Sequence, residues 1–180
     1  MTRFVALLRA VNIGGTSSMP MAELREVLTG AGLTDVRTYI QSGNAVFAAG
    51  SSDEAEVAEV VRGAIRARWG KDIPVLLRTA DELDAVIAAN PYLGEQDDLT
   101  KLHVTFLDRE PGQDKVATLV PPAGETGVLT VIGREVFLHV PDGYGRTKLQ
   151  NVFVERRTGA VSTTRNWKSV LKLREMVTAG

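Results

Sequence analysis

The sequence predicts an α+β protein made of two packed subdomains. Strand and helix patterns follow the order β-α-β-β-α-β over the first 90 residues, which is the ferredoxin-like connection pattern. The pattern starts again after residue 99 in a weaker form, so we expect the second half to be a degenerate repeat of the first. We place the subdomains at residues 1–91 and 99–180, with an acidic, glycine-containing segment between them.

Hydrophobic periodicity and capping residues define the elements of the first subdomain. Pro20 suits the first position of a helix, Ser42-Gly43 suits the turn of a hairpin, and Thr79 with Glu82 forms a capping box. The predicted strands cover residues 3–10, 36–41, 44–48 and 74–77, and the predicted helices cover residues 20–30, 51–69 and 79–90.

The second subdomain is predicted from weaker patterns. Its strands are expected at residues 102–107, 128–132, 135–140 and 160–162, and its helices at residues 113–119, 147–157 and 165–177. One local match supports a duplication: at an offset of 84 residues, Thr79 falls on Thr163 and Leu83 falls on Trp167.

Composition excludes several classes of protein. The chain has 180 residues, no cysteine and a net charge of −1, so disulfide frameworks and cysteine-ligated metal centres are excluded. A near-neutral charge argues against a broad nucleic-acid surface. No apolar run is long enough for a signal peptide or a membrane span, and we expect a cytoplasmic protein that does not bind membranes.

Basic residues are concentrated at the end of the chain. Residues 141–180 carry eight Lys or Arg against three acids, a net charge of +5, whereas residues 1–140 carry a net charge of −6. Such a distribution is typical of a solvated basic face, but it is also compatible with a local anion site. The sequence leaves both interpretations open.

Two segments in this basic region are candidates for anion binding. Gly145 and Lys148 lie in a glycine-rich turn before a predicted helix, and Thr164, Arg165 and Asn166 surround the predicted start of the last helix. Helix N-termini attract anions, and cations placed there oppose the helix dipole. The structural alternatives are a plain solvent-facing turn, an ion pair between Arg165 and an acid, and a core role for the adjoining tryptophan.

Polar residues of the first half form the third candidate. They follow the first strand or occupy the hairpin corner, where loops often contact ligands, although turns need such residues in any case. The members of this set are Arg9, Asn12, Gly14, Gly15, Gln41, Ser42 and Asn44.

The sequence offers little support for catalysis. The two histidines, His103 and His139, lie on predicted strands between apolar neighbours, which favours structural roles. No nucleophile elbow, zinc-binding helix motif or dinucleotide fingerprint is present. We predict no metal and no cofactor, and the sequence does not decide whether the chain is an enzyme.

Three motifs resemble a known bacterial family. They are LLRAVNIGG at residues 7–15, TYIQSGNAVF at residues 38–47 and TTRNW at residues 163–167. The chain is similar to the domain-of-unknown-function family 1697, and the likeness extends to residues 78–79, 90–91 and 147–149. The resemblance implies two packed α+β subdomains, the first of them ferredoxin-like, and it implies no activity and no site residues.

Three functions are compatible with these observations. The first is binding of a small anion, such as a phosphate, a nucleotide or a carboxylate metabolite, with or without catalysis. The second is RNA binding by a ferredoxin-like sheet, for which Phe4 and Phe47 would supply the exposed rings. The third is self-association through the apolar faces of the last two helices.

Overall fold

The structure is a computed structural model that describes residues 1–9, 11, 18–95 and 97–180. Two four-stranded antiparallel sheets and six α-helices make up these residues, which confirms the α+β class with two similar subdomains. Two compact units are present, residues 1–84 with 173–180 and residues 85–172. No helix in the described ranges has both the length and the apolar content that a membrane crossing requires.

The first unit has the predicted order of elements. Its sheet order is β2-β3-β1-β4, and its elements, including α3, which continues into the second unit, are β1 (Thr2–Leu8), α1 (Met21–Gly30), β2 (Thr34–Tyr39), β3 (Asn44–Ala49), α2 (Glu54–Trp69), β4 (Val75–Arg78) and α3 (Ala80–Ala89). The Thr79 capping box forms as expected, because Glu82 donates its N–H to the Thr79 hydroxyl and accepts from the Thr79 N–H. The helix after Ser51 is capped instead by Asp53, which accepts from the Glu56 N–H.

The core of the first unit is built from one face of its sheet together with α1 and α2. Phe4 and Phe47 lie opposite each other on β1 and β3, with ring centroids 6.3 Å apart. They are 2% and 0% exposed and pack with Leu24, Leu28 and Ile65. The rings that the RNA-binding alternative requires at the surface are therefore buried, and they offer no face for base stacking.

The C-terminal residues belong to the first unit through specific contacts. The Arg174 guanidinium donates to both carboxylate oxygens of Asp84, at 2.6 and 3.3 Å. Arg37 donates to the carbonyl of Met176 at 2.7 Å. The two units thus divide the chain after residue 84 and after residue 172. The predicted boundary between subdomains at residues 92–98 stays a prediction.

The second unit repeats the order β-α-β-β-α-β. Its sheet order is β6-β7-β5-β8, and its elements, including α6, which continues into the first unit, are β5 (Leu102–Leu107), α4 (Gln113–Val116), β6 (Val128–Ile132), β7 (Glu135–His139), α5 (Asn151–Thr158), β8 (Ser162–Asn166) and α6 (Trp167–Thr178). A 3-10 turn at Leu99–Lys101 precedes β5.

The last three elements are displaced from their predicted positions. α5 begins at Asn151 rather than residue 147, β8 covers Ser162–Asn166 rather than residues 160–162, and α6 begins at Trp167 rather than residue 165. β8 was not predicted in full because its sequence is polar. A polar strand is stable here because its hydroxyl groups form hydrogen bonds with α5. Ser162 and Thr164 both donate to the Asn151 side-chain oxygen at 2.9 Å.

The β4–α3 segment of the first unit corresponds to the β8–α6 segment of the second at an offset of 87 residues rather than the predicted 84. Arg78 pairs with Val5 of β1, and Arg165 pairs with Val104 of β5. The residue after each arginine, Thr79 or Asn166, caps the following helix. Arg165 therefore corresponds to Arg78, and it lies on a strand rather than in the first turn of a helix.

Candidate ligand site

A cavity of about 300 Å³ lies at the junction of β8 and α6 in the second unit. This is at the small end of the range for ligand pockets in proteins. Its wall combines two leucines with four polar side chains, and the six lining residues are Leu99, Thr100, His103, Asn166, Lys168 and Leu171. We call this the β8–α6 cavity.

Strand register and helix geometry bring these residues together. His103 of β5 is the cross-strand partner of Asn166, the last residue of β8. Because α6 begins at the next residue, Lys168 lies in its first turn and Leu171 lies about one turn further on. The 3-10 turn before β5 contributes Leu99 and Thr100.

The start of α6 carries a positive charge without an acidic partner. No acidic residue lies in its first turn, whereas the corresponding turn of α3 contains Asp81 and Glu82. The Asn166 side-chain oxygen caps the helix by accepting from the Ser169 N–H at 2.8 Å. Lys168 is exposed and forms no ion pair within the described ranges of the chain. The cation opposes the helix dipole, and a bound anion would relieve that opposition.

His103 lines the cavity with a buried ring. The side chain is 9% exposed and stacks on Tyr144, with ring centroids 4.9 Å apart and 22° between the planes. Its Nδ1 is buried and makes no hydrogen bond within the described chain. Burial lowers the pKa of His103, and the nearby Lys101 carbonyl opposes this effect. The sequence favours a structural role for this residue.

Arg165 does not line the β8–α6 cavity. Arg165 is 7% exposed, and its guanidinium donates from Nη1 to the Thr163 hydroxyl at 2.7 Å and to the Thr164 carbonyl at 3.0 Å. Burial lowers the pKa of Arg165 to about 10, which still leaves the side chain charged at neutral pH. The Thr164 hydroxyl is bonded to Thr105 and Asn151. Of the predicted trio, only Asn166 lies in the cavity wall.

The turn that contains Gly145 and Lys148 already holds a carboxylate of the protein. Glu125 accepts from the N–H groups of Gly127 and Lys148, each at 2.7 Å, and from the Thr147 hydroxyl at 3.0 Å. The Lys148 N–H bond is the main reason why the pKa of Glu125 is lowered. The segment is a turn before α5 rather than the start of a helix. The anion that its Lys148 N–H binds is the Glu125 carboxylate of the protein itself.

Replacing Glu125 with glutamine is expected to destabilise the protein at pH 7 and to reduce its acid sensitivity. The folded pKa lies below the ordinary value of 4.5, so the stabilisation is present above that value and is lost as the pH falls through the folded pKa. We expect the free energy of unfolding at pH 7 to fall by about 1 kcal/mol, because the charge-assisted hydrogen bonds are weakened. Urea unfolding at pH 7 and at pH 3 measures both effects.

Glu110→Gln is the matched control for this prediction. Glu110 is exposed and has no hydrogen bond or ion pair in the described structure. Its replacement is expected to leave the unfolding midpoint nearly unchanged at both pH values. If the free energy of unfolding of Glu125→Gln changed between pH 7 and pH 3 by as much as that of the unmodified protein, the role given to this carboxylate would be contradicted.

The candidate residues of the first unit serve the β2–β3 turn where their contacts are described. Asn44 is fully buried, and its amide donates to the Tyr39 carbonyl at 3.0 Å and to the Ser42 hydroxyl at 2.9 Å. Gln41 is exposed, and the Arg9 N–H donates to the Pro74 carbonyl. The remaining predictions, Asn12, Gly14 and Gly15, lie outside the described residues.

Two further expectations can be compared with the structure. Val154 of α5 and Val170 and Leu173 of α6 are buried, whereas Val152 of α5 is 53% exposed and Leu171 of α6 is 39% exposed. Self-association through those faces stays a prediction. Nowhere in the described ranges do three His, Cys, Asp or Glu side chains come together as a metal site requires.

Comparisons with known proteins give a family and a fold. The sequence profile of a family described as "Protein of unknown function (DUF1697)" matches residues 1–137. The solved structure of the conserved bacterial protein SP0830 from Streptococcus pneumoniae is similar over 98% of each chain, with 26% identity and a TM-score of 0.75. No curated protein is similar enough to be matched.

Proposed function

The chain belongs to the DUF1697 family of proteins of unknown function, and we propose that it binds a small anionic metabolite in the β8–α6 cavity. The observation that carries this proposal is the position of Lys168. This cation lines the cavity and lies in the first turn of a twelve-residue helix, and that turn contains no acidic residue. Lys168 would supply the charge that the sequence analysis assigned to Arg165 and Lys148.

The electrostatics of the cavity favour an anion. The first N–H groups of α6 carry the partial positive charge of a helix N-terminus, and Lys168 adds a full charge beside them. Breaks in the local rules of helix stability tend to occur at functional sites. The lining residues supply charge, hydrogen bonds and apolar walls, which are the requirements of ligand binding.

Removing the Lys168 charge is expected to weaken anion binding. In Lys168→Met the alkyl stem is largely kept and only the ammonium is lost, so the fold should be preserved. We expect at least a tenfold rise in the dissociation constant, which corresponds to about 1.4 kcal/mol. Isothermal titration calorimetry with benzoate, inorganic phosphate and adenosine monophosphate on both proteins tests this.

A second lysine provides the control. Lys115 is exposed at the end of α4 and does not line the cavity, so Lys115→Met changes the net charge equally without touching the proposed site. Its affinity should match that of the unmodified protein. Equal affinities for Lys168→Met and the unmodified protein, or no heat with any of the three anions at millimolar concentration, would refute the proposal.

Asn166 separates the binding role from the structural role. Aspartate caps helices about as well as asparagine, so Asn166→Asp should keep α6 stable while placing a negative charge in the cavity wall. We expect unfolding close to that of the unmodified protein together with a loss of anion binding. Retained binding would place the anion elsewhere.

A further inference from the structure

We infer that two copies of the chain associate through the edge of the second sheet, where β6 (Val128–Ile132) of one copy pairs in antiparallel fashion with β6 of the other. This interaction goes beyond the proposed anion site and does not depend on it. The sheet order β6-β7-β5-β8 leaves β6 with a neighbouring strand on one side only. A strand in this position presents backbone groups that can pair with another strand.

The register of the second sheet shows which backbone groups of β6 point outward. The Leu107 N–H of β5 donates to the carbonyl of Arg134, just before β7, and the residues of β7 bond alternately to β5 and to β6. The β6 residues that bond to β7 are therefore 128, 130 and 132. The N–H and C=O groups of Leu129 and Val131 point away from β7, and they have no hydrogen-bond partner in the part of the chain that the structure describes.

The corresponding edge of the first sheet has two features that discourage pairing, and β6 has neither. β2 contains the charged residues Asp35 and Arg37, and its register shifts between Thr34 and Arg37, where Asp35 has a φ of 51°. Charges and irregularities of this kind protect exposed edge strands. β6 pairs with β7 in a regular register, and all five of its residues are uncharged. It is the edge better suited to pairing with a second chain.

A two-fold axis beside Thr130 would satisfy the outward groups of both copies. In that register Leu129 of each copy lies opposite Val131 of the other, and each such pair exchanges both of its backbone hydrogen bonds. Val128 of each copy lies opposite Ile132 of the other, at a position where cross-strand side chains are closest. Val128 and Ile132 are 43% and 40% exposed, so pairing removes apolar surface from water. This self-complementarity assigns the edge to a second copy.

The charges at the two ends of β6 are also complementary. Arg134 follows the strand in the hairpin turn, and Thr126 precedes the strand with its hydroxyl donating to Asp142 at 2.6 Å. Asp142 forms no ion pair within the described chain, although Arg146 and Lys148 line the same small cavity. Because the paired strands are antiparallel, the end with Arg134 in one copy lies beside the end with Asp142 in the other. Opposite charges therefore meet at both ends of the interface.

Sedimentation velocity of the full chain, from micromolar to millimolar concentration, tests the association. One pair of five-residue edges is smaller than a standard protein interface, so we expect a concentration-dependent equilibrium whose mass approaches that of two chains. A mass of one chain at millimolar concentration would overturn the inference and would leave the edge to an extended segment of a different protein.

Two double variants test the edge and its register. Val128→Lys with Ile132→Lys places like charges opposite each other twice, and we expect the dissociation constant of the dimer to rise at least about tenfold. Val128→Lys with Ile132→Glu is the matched control, because the same register then places opposite charges together and the dimer should persist. Both side chains are exposed, so the fold should be kept, which circular dichroism checks. A dimer that persists in the double-lysine variant, or that is lost equally from both variants, would overturn the assignment.

Hydrogen exchange of the unmodified chain locates the interface without a substitution. The N–H groups of Leu129 and Val131 are bonded only in the dimer, so we expect them to exchange at least about tenfold more slowly in a concentrated sample than in a dilute one. The Thr130 N–H bonds to β7 in both states, and its exchange should not differ between the samples. Slower exchange at another surface, with none at Leu129 and Val131, would contradict pairing through β6.

Discussion

Replacing Phe47 with alanine is expected to lower the free energy of unfolding of the first unit by about 3–5 kcal/mol. Phe47 is fully buried on β3 and packs against Phe4 of β1, with the helices α1 and α2 covering the same face. The loss combines the transfer free energy of the ring with the cavity that it leaves. An effect of this size is a large fraction of the stability of a typical domain.

The two tryptophans allow the unfolding of the first unit to be followed separately. Trp69 packs against the core of the first unit, and Trp167 lies in the second unit. Urea unfolding is measured by the fluorescence of Trp69, in chains that all carry Trp167→Phe. Val60→Ala is the control, because Val60 lies on α2 with 38% of its surface exposed, and we expect it to cost less than about 1 kcal/mol. Similar losses for the two variants would contradict the described core.

Replacing Gly43 with alanine is the second change with a large expected effect. Gly43 has a φ of +85°, and an added Cβ would lie 2.9 Å from the Leu8 Cβ and 3.1 Å from the Val11 Cβ. Its carbonyl also accepts from the Leu8 N–H at 2.8 Å, so the turn cannot move away without losing that bond. We expect the free energy of unfolding to fall by about 2–4 kcal/mol, because the positive φ and the steric contact both disfavour a Cβ at this position.

Gly32→Ala separates the two causes. Gly32 also has a positive φ, +94°, but nothing lies within 4 Å of its added Cβ. This variant should lose only about 1 kcal/mol, the cost of the backbone conformation. The same Trp69 experiment measures both variants. Equal losses at the two positions would show that close packing of Gly43 against β1 contributes nothing.

The sequence predicted most of the first unit because its elements are determined locally. The stripe of Met21, Leu24, Val27 and Leu28 predicts α1, and these side chains are buried except that of Val27, which is half-buried. Alternation predicts the β2–β3 hairpin, and the Thr79 capping box forms as expected. In each case the signal lies within one element, so periodicity and capping rules are sufficient.

The end of the chain was less predictable because distant residues determine it. β8 is polar, and its hydroxyls are satisfied by Asn151 of α5. The turn at residues 143–149 contains good helix formers, but Glu125 bonds the Lys148 N–H from 23 positions earlier in the chain. Tertiary hydrogen bonds of this kind override local propensity.

The candidate site depends on the same register. With β8 placed at residues 160–162, nothing in the sequence brings His103 near Asn166, whereas in the structure they are cross-strand partners. The lack of acidic residues at the start of the last helix correctly indicated a positively charged first turn. Because β8 extends to Asn166 and α6 begins at Trp167, the cation in that turn is Lys168 and not the predicted Arg165. The resemblance to the family supplied the fold and no site.

The backbone N–H groups of two lysines make the most direct test of the central claim that the β8–α6 cavity binds a small anion. Proton–nitrogen NMR spectra of the nitrogen-15-labelled chain show the N–H signals of Lys168, in the first turn of α6, and of Lys115, in α4, separately. During titration with the tightest-binding of benzoate, inorganic phosphate and adenosine monophosphate, we expect the Lys168 signal to move and saturate at the affinity measured by calorimetry, while the Lys115 signal stays in place. A saturating titration that leaves the Lys168 signal unmoved, or that moves both signals alike, would contradict the account.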